Sequence, residues 1–231
     1  MNIKPPTTTD KELRLEHWKK AYKSSYVPSY PSQFAVFVCD YLNDNQNIIE
    51  FGCGSGRDSL FFASQGHRVL GFDASDEAIK SCRLHSSDAN RKHVEFHQLN
   101  IDEAWDTSEI EKTSQFIRSV VDTTRPTLIY ARFFLHAITE EEEQSFLRIL
   151  EALESSNMTC AFEFRTHRDQ KQHKITTPHY RRFINPVGLL KRLELLDYKL
   201  DYFVEGFGMA KYKTEDAHVA RIVLQAPAKI G

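Results

Sequence analysis

At 231 residues the chain can fill one well-packed domain with a small appendage, and its 41% hydrophobic and 27% charged composition is that of a folded globular protein. A formal net charge of -2 excludes a uniformly basic nucleic-acid or membrane-surface binder, yet leaves room for one locally basic pocket. Four scattered cysteines (Cys39, Cys53, Cys82 and Cys160) give neither a disulfide framework nor metal-site spacing; with no apolar leader or bilayer-length run, a reducing cytoplasm is the simplest compartment.

The first ten residues, with Pro5, Pro6 and three threonines in a row, have little that can pack. From Lys11 to Lys23 the spacing of Leu13, Leu15 and Trp18 is helical but weakly apolar, and the prolines of YVPSYP, 26–31, interrupt it. A second helix is expected over 32–43, with Phe34, Phe37, Val38, Tyr41 and Leu42 along its buried stripe. Short apolar strands then alternate with helices: strand 47–51, helix 57–65, strand 67–73, and a helix capped by Ser75 with Asp76 and Glu77 at its positive end. Strand 93–99, helix 107–121 and strand 126–132 follow. Thr139 and Glu142 form a capping box that opens a helix to Leu153; after strand 158–164, Asn185 and Pro186 start the last helix. Segments 198–205 and 218–225 read as two strands with no helix-length connection, so they should pair antiparallel at one edge. The pattern predicts an α/β fold: a seven-stranded, Rossmann-like, mostly parallel sheet with helices on both faces and an antiparallel C-terminal hairpin.

The stretch IEFGCGSGRD, 49–58, puts Gly52, Gly54 and Gly56 at the first strand-to-helix turn. Missing side chains permit close ligand approach and backbone angles closed to other residues, although a purely steric turn needs the same glycines. No GK[ST] follows, so this is not a P-loop, and Arg57 and Asp58 replace the last glycine of the dinucleotide fingerprint. Asp73 ends the next strand at the distance expected of an acid that reaches ribose hydroxyls; it could instead cap the following helix. Asp102, in LNID, reaches the same rim, where it could accept from an adenine amino group or simply solvate a loop.

With these features, residues from about 32 to 225 resemble the class I S-adenosylmethionine-dependent methyltransferases. EFGCGSG, 50–56, is similar to their first motif, Ile129–Arg132 to their fourth-strand motif, and the terminal strand pair to their reversed seventh strand. GRDSLFFASQGHRVLGFDAS resembles the small-molecule branch that includes tellurite-resistance and thiopurine methyltransferases. The resemblance implies S-adenosyl-L-methionine as cofactor and S-adenosyl-L-homocysteine as product, released after direct displacement at the sulfonium methyl. It also implies a cofactor site drawn from Glu50, Gly52, Cys53, Gly54, Gly56, Arg57 and Asp58, then Asp73 with Ala74, Ile101 with Asp102, and Ala131. A local salt bridge remains the other reading of Arg57 and Asp58. Residues 1–31 become an N-terminal helical lid or extension, with Trp18 over the cofactor and Tyr22, Tyr26 and Tyr30 in an aromatic cover; 32–231 becomes the methyltransferase domain.

Ligands of an open α/β sheet gather beyond the strand carboxyl ends, so the acceptor is expected near ARFFLHAITEEEEQ. Arg132 and His136 are the candidate catalytic residues there; neutral histidine can take a proton near pH 7, or His136 can merely pack against the next helix. Glu140–Glu143 reads as a solvated helical first turn and not a metal site; no metal is expected. The segment 163–183 is rich in Arg, Lys and His, which suits a loop closing on an anion with charge-assisted bonds, or a solvated loop. Arg165, His167, His179, Tyr180, Arg181 and Arg182 are its candidate substrate residues, joined by Lys211 and by Tyr22 and Tyr26 of the aromatic cover. ARFFLHAI and TPHYRRFI resemble segments of bacterial methyltransferases that modify glycans or glycan phosphate ends. The expected reaction is O-methylation of a small or glycan-linked anionic acceptor, ahead of S- or N-methylation, with no nucleic-acid partner and with monomer and homodimer both open. A non-catalytic adenosyl-binding protein is the rival from another class; an NAD-dependent oxidoreductase is disfavoured by the glycine turn and the terminal strand pair.

Overall fold

The computed structural model describes residues 8–24, 30–86, 92–102, 104–153, 157–175 and 179–227. Its main sheet contains β1 (Asn47–Phe51), β2 (Arg68–Asp73), β3 (Val94–Gln98), β4 (Thr127–Arg132), β5 (Met158–Arg165), β6 (Lys199–Gly206) and β9 (Val219–Gln225), in the order β3-β2-β1-β4-β5-β9-β6. The first five strands are parallel, and β9 runs antiparallel to both β5 and β6. The two C-terminal strands therefore pair as expected, but β9 turns inward and β6 alone forms the edge. The reason lies in side chains: the first six residues of β9 are buried, whereas β6 carries Lys199, Asp201 and Glu205, charges that suit an edge.

Alternation along the central strands divides the core into two layers. Ile49, Phe51, Ile129 and Ala131 point to one face, where they meet α5 (Thr107–Val120), α6 (Glu140–Leu153) and α7 (Pro186–Glu194) through Ile117, Phe146, Leu150 and Leu189. Ile48, Leu128 and Tyr130 point to the other, against Phe34 of α2 (Gln33–Val38), Phe62 of α3 (Arg57–Ser64) and Ile79 of α4 (Asp76–His85). Asn185 accepts from the Val187 and Gly188 N–H groups ahead of Pro186, so the expected start of α7 holds.

Three local expectations change. The helix expected over 32–43 is α2 followed by a 3-10 turn at Cys39–Tyr41, because Leu42 is extended and its N–H closes on the Cys39 carbonyl. The excursion after β6 holds a small hairpin of β7 (Lys211–Tyr212) and β8 (Glu215–Asp216). The acidic run 140–143 is not all solvated: Glu142 and Glu143 are buried, Glu142 closing the Thr139 capping box and pairing with Arg14, Glu143 pairing with Arg182 and Arg192. No helix among the described residues is long and apolar enough to cross a membrane.

α1 (Thr8–Ser24) stands outside the layers and packs beside α4. Charge ties hold it there. Lys11 bonds Asp102, Arg14 bonds Glu142, and Lys19 lies 3.7 Å from Asp76.

Candidate active site

Beyond the carboxyl ends of β1 and β2 the glycine turn folds back, with the Gly52 and Cys53 N–H groups donating to the Phe72 carbonyl at 2.8 and 2.9 Å. Gly54 has φ +55°, and a Cβ there would lie 3.0 Å from the Tyr22 hydroxyl of α1. Gly56 has φ +82° and would press on the Cys82 Sγ at 3.0 Å. Asp73 fixes the turn: its carboxylate accepts from the Gly54 N–H and the Ser75 N–H, both at 2.9 Å. Ser75, not Asp73, caps α4 through the Ala78 N–H. Burial pushes the Asp73 carboxyl up to about 6 despite those two donors.

The turn floors a cavity of about 340 Å³ lined by Glu50, Gly52, Cys53, Gly54, Arg57, Asp58, Asp73, Ala74 and Ile101, and roofed by Arg14, Leu15, Trp18 and Tyr22 of α1. Burial, then the neighbouring Asp58 charge, pushes Glu50 up to about 8, although the Ser59 hydroxyl donates to it. Asp58 is a structural hub. It accepts from the Ser32 N–H (2.8 Å), the Ser32 hydroxyl (2.6 Å), the Tyr130 hydroxyl (2.9 Å) and Arg57 Nε (3.2 Å). Burial opposes its charge, but Arg132, Arg57 and the Ser32 bonds outweigh that and hold it below the usual range.

A second cavity, of about 640 Å³, opens beside the first. Trp18, Arg57, Arg132 and Phe133 line both and form the wall between them. Arg132 donates from Nε to Glu163 Oε1 at 2.9 Å and lies over the Phe133 ring, 4.3 Å from its centroid. Arg221 binds the other Glu163 oxygen at 2.7 Å. Phe133 has φ +58°, an uncommon backbone for so bulky a side chain, and its N–H donates to the Glu163 carbonyl. The far walls carry His17 and His179, stacked with centroids 4.1 Å apart, together with His136, Arg165, Arg181 and Lys211. Glu215 is the acid among the described lining residues, and Arg165 and the Ile175 N–H both donate to it.

The sequence-derived candidates separate into those that line these cavities and those that do not. Arg132, His136, Arg165, His179, Arg181 and Lys211 line the second cavity, as does Trp18. Tyr22, expected at the acceptor, lines the first cavity, because the helical repeat turns it toward Gly54. Asp102 turns from the cavity: its oxygens accept from Lys11 and from the Ala104 N–H, so it anchors α1. Gly56 and Ala131 are buried behind the lining. His167 is exposed in a 3-10 turn, and Tyr180 lies under Arg14, whose guanidinium carbon is 5.2 Å from its ring centroid. Arg182 donates to Glu143 and to the Leu135 carbonyl and is absent from both linings. Tyr26 lies outside the described residues. Sequence reasoning missed Arg14, whose signal was present: Arg14, Trp18 and Tyr22 recur every four residues on one face of α1. It also missed Glu215, whose contact with Arg165 spans 50 positions and leaves no local trace.

The Arg182 bonds carry a prediction. Arg182→Gln should lower unfolding free energy by about 2 kcal/mol, since it strips one donor from a buried carboxylate, while leaving the acceptor KM within about twofold. Urea melts and steady-state kinetics check it; a large rise in KM with unchanged stability would place Arg182 at the acceptor.

Seven strands with the seventh reversed, a glycine turn after β1 and an acid at the end of β2 define a class I methyltransferase fold. The chain belongs to the methyltransferase-domain family, which it matches over residues 42–179. A solved S-adenosylmethionine-dependent methyltransferase from Anabaena variabilis superposes with a TM-score of 0.71 at 19% identity, covering 98% of this chain and 99% of the other. The chain is similar to a 23S rRNA (uracil(1939)-C(5))-methyltransferase of Aliivibrio fischeri, with 26% identity over 84 residues, 36% of this chain and 19% of that one. It is also similar to a ubiquinone biosynthesis O-methyltransferase of Hydrogenovibrio crunogenus, with 34% identity over 68 residues, 29% and 28% of the two chains. These matches span less than a third of either relative's length.

Proposed function

We propose that the chain is an S-adenosylmethionine-dependent methyltransferase acting on a small or glycan-linked anionic acceptor, with oxygen receiving the methyl group. The observation that carries this reading is the pair of cavities of opposite character sharing one wall: Glu50 and Asp73 in the first, arginines and histidines in the second. A buried carboxyl held as high as about 8 is a group that gains from a cation beside it, so Glu50 fits the ammonium or the sulfonium of the cofactor. Asp73 is the acceptor for ribose hydroxyls, and Leu99, Ile101 and Phe72 give the adenine an apolar slot. S-adenosylmethionine supplies, when bound, a methyl group on a positively charged sulfur. The protein's contribution is alignment: α1 roofs both cavities as a lid, Trp18 and Phe133 exclude water at the shared wall, and Arg132 is held there by Glu163.

Calorimetry with S-adenosylmethionine, S-adenosylhomocysteine and NAD tests the reading: the adenosyl ligands should bind and NAD should not. The pH dependence follows from Glu50. Its carboxyl is mostly protonated at pH 7 in the free protein, and a ligand cation favours the ionised form. Affinity for S-adenosylhomocysteine should therefore rise from pH 6 to pH 8, with protons released on binding, up to about tenfold per pH unit. A flat profile between those limits would remove Glu50 from the ammonium site, and failure of both adenosyl ligands to bind would sink the reading.

A further inference from the structure

Arginines and Lys211 outnumber the acids among the described residues that line the second cavity, with Asp58, Glu163 and Asp169 pairing Arg57, Arg132 and Arg165. Burial, then the Arg165 and Arg181 charges, pushes His136 well below its ordinary value. Burial, then Arg181, lowers His17. Arg181 itself is lowered by burial and by Arg165. Lys211 and Tyr212 of β7 and Tyr30 stand on the facing elements. Glu215 is engaged by Arg165 and the Ile175 N–H.

The geometry of His136 bears on catalysis. Its Nδ1 accepts the Arg165 backbone N–H at 3.2 Å, so the neutral ring carries its proton on Nε2. In that tautomer Nε2 donates; it has no lone pair with which to take a proton. Among the described residues, the wall between the cavities is made of two arginines and two aromatic rings, with no carboxylate that could act as a base.

Resting on the methyl-transfer reading, we infer that the group methylated is an oxyanion already ionised at neutral pH, a carboxylate or a phosphate- or phosphonate-type oxygen, and that the product is its methyl ester. The acceptor oxygen forms its bond to the methyl carbon with its own lone pair, the carbon–sulfur pair stays with sulfur, and no proton leaves the acceptor. Arg181 and Lys211 attract the anion, Arg132 meets it at the shared wall, and His136 is a donor that positions it.

The test uses the full chain and matched probes: small carboxylic and phosphonic acids, each paired with its alcohol and its amide. With the protein saturated with S-adenosylhomocysteine, calorimetry should show acids binding at least tenfold tighter than their partners. Arg181→Gln and Lys211→Gln should each weaken that binding about tenfold and leave S-adenosylhomocysteine affinity unchanged. Label from methyl-tritiated S-adenosylmethionine should enter acids, carboxyl esters releasing labelled methanol in mild alkali while phosphonate esters retain it. At saturating cofactor, turnover should be flat from pH 6.5 to 8.5.

Alcohols or amides binding as well as acids, or no acid binding below about 10 mM, would overturn the inference. So would label in the alcohol or amide, or turnover rising tenfold per pH unit and losing that slope in His17→Gln or His136→Gln. If S-adenosylhomocysteine itself does not bind, the methyl-transfer reading has failed, and the two failures are distinguished.

Discussion

Asp73→Ala should weaken S-adenosylhomocysteine binding by about a hundredfold, or ~2.7 kcal/mol, as loss of a charged hydrogen-bonding partner typically does. Two effects add. The carboxylate proposed to meet the ribose is removed, and the Gly54 and Ser75 N–H groups lose their acceptor, so the turn that floors the cavity loosens. Asp73→Asn helps separate them: its amide oxygen still accepts one backbone N–H while the other loses its acceptor, so stability should fall by about 1 kcal/mol and affinity by about tenfold. Calorimetry gives affinity and urea unfolding gives stability. Wild-type affinity in Asp73→Ala would mean that the ribose lies elsewhere.

Glu163→Leu should be the most destabilising change near the site, costing about 3–5 kcal/mol, the range for a buried ion pair with one partner removed. The Glu163 side chain is fully buried between Arg132 and Arg221, and both guanidinium groups would remain with no counterion in its place. Turnover should fall as well, because Arg132 would lose the bond that holds it at the wall between the cavities. Comparing Glu163→Gln, which keeps volume and one acceptor oxygen, separates charge from packing and should retain about half the lost stability. A urea midpoint for Glu163→Leu equal to that of the wild type would show that the two arginines find other partners.

The architecture was legible because hydrophobic period changes with element type and is local. NIIEF, TLIYAR and MTCAFEF read as central strands because both of their faces are covered, and the Ser75, Thr139 and Asn185 caps mark helix starts within three residues of themselves. The glycine turn and Asp73 were legible for a similar reason, since the β-α-β unit places them together. What failed was reading charge as exposure. Glu142 and Glu143 stand in an acidic run that reads as a solvated helical turn, but Arg14 answers one from 128 positions away and Arg182 the other from 39, and no local pattern carries such pairing. His136 shows the limit in another form. Its type and position on the rim were readable, but which ring nitrogen bears the proton depends on a backbone N–H of Arg165, one strand away.

The inward position of β9 has a consequence for the order in which the sheet can close. β6 leaves the ribosome before β9, yet β9 is its sole neighbour in the sheet, so β6 has no strand to join until residues 219–225 have been made. The five parallel strands and the glycine turn after β1 precede that moment. The β9–β6 end of the sheet is thus a late addition, zipped in one event by β9 between β5 and β6. Amide protons of β6 and β9 should accordingly exchange as one cooperative unit, separable from those of β1, β2 and β4.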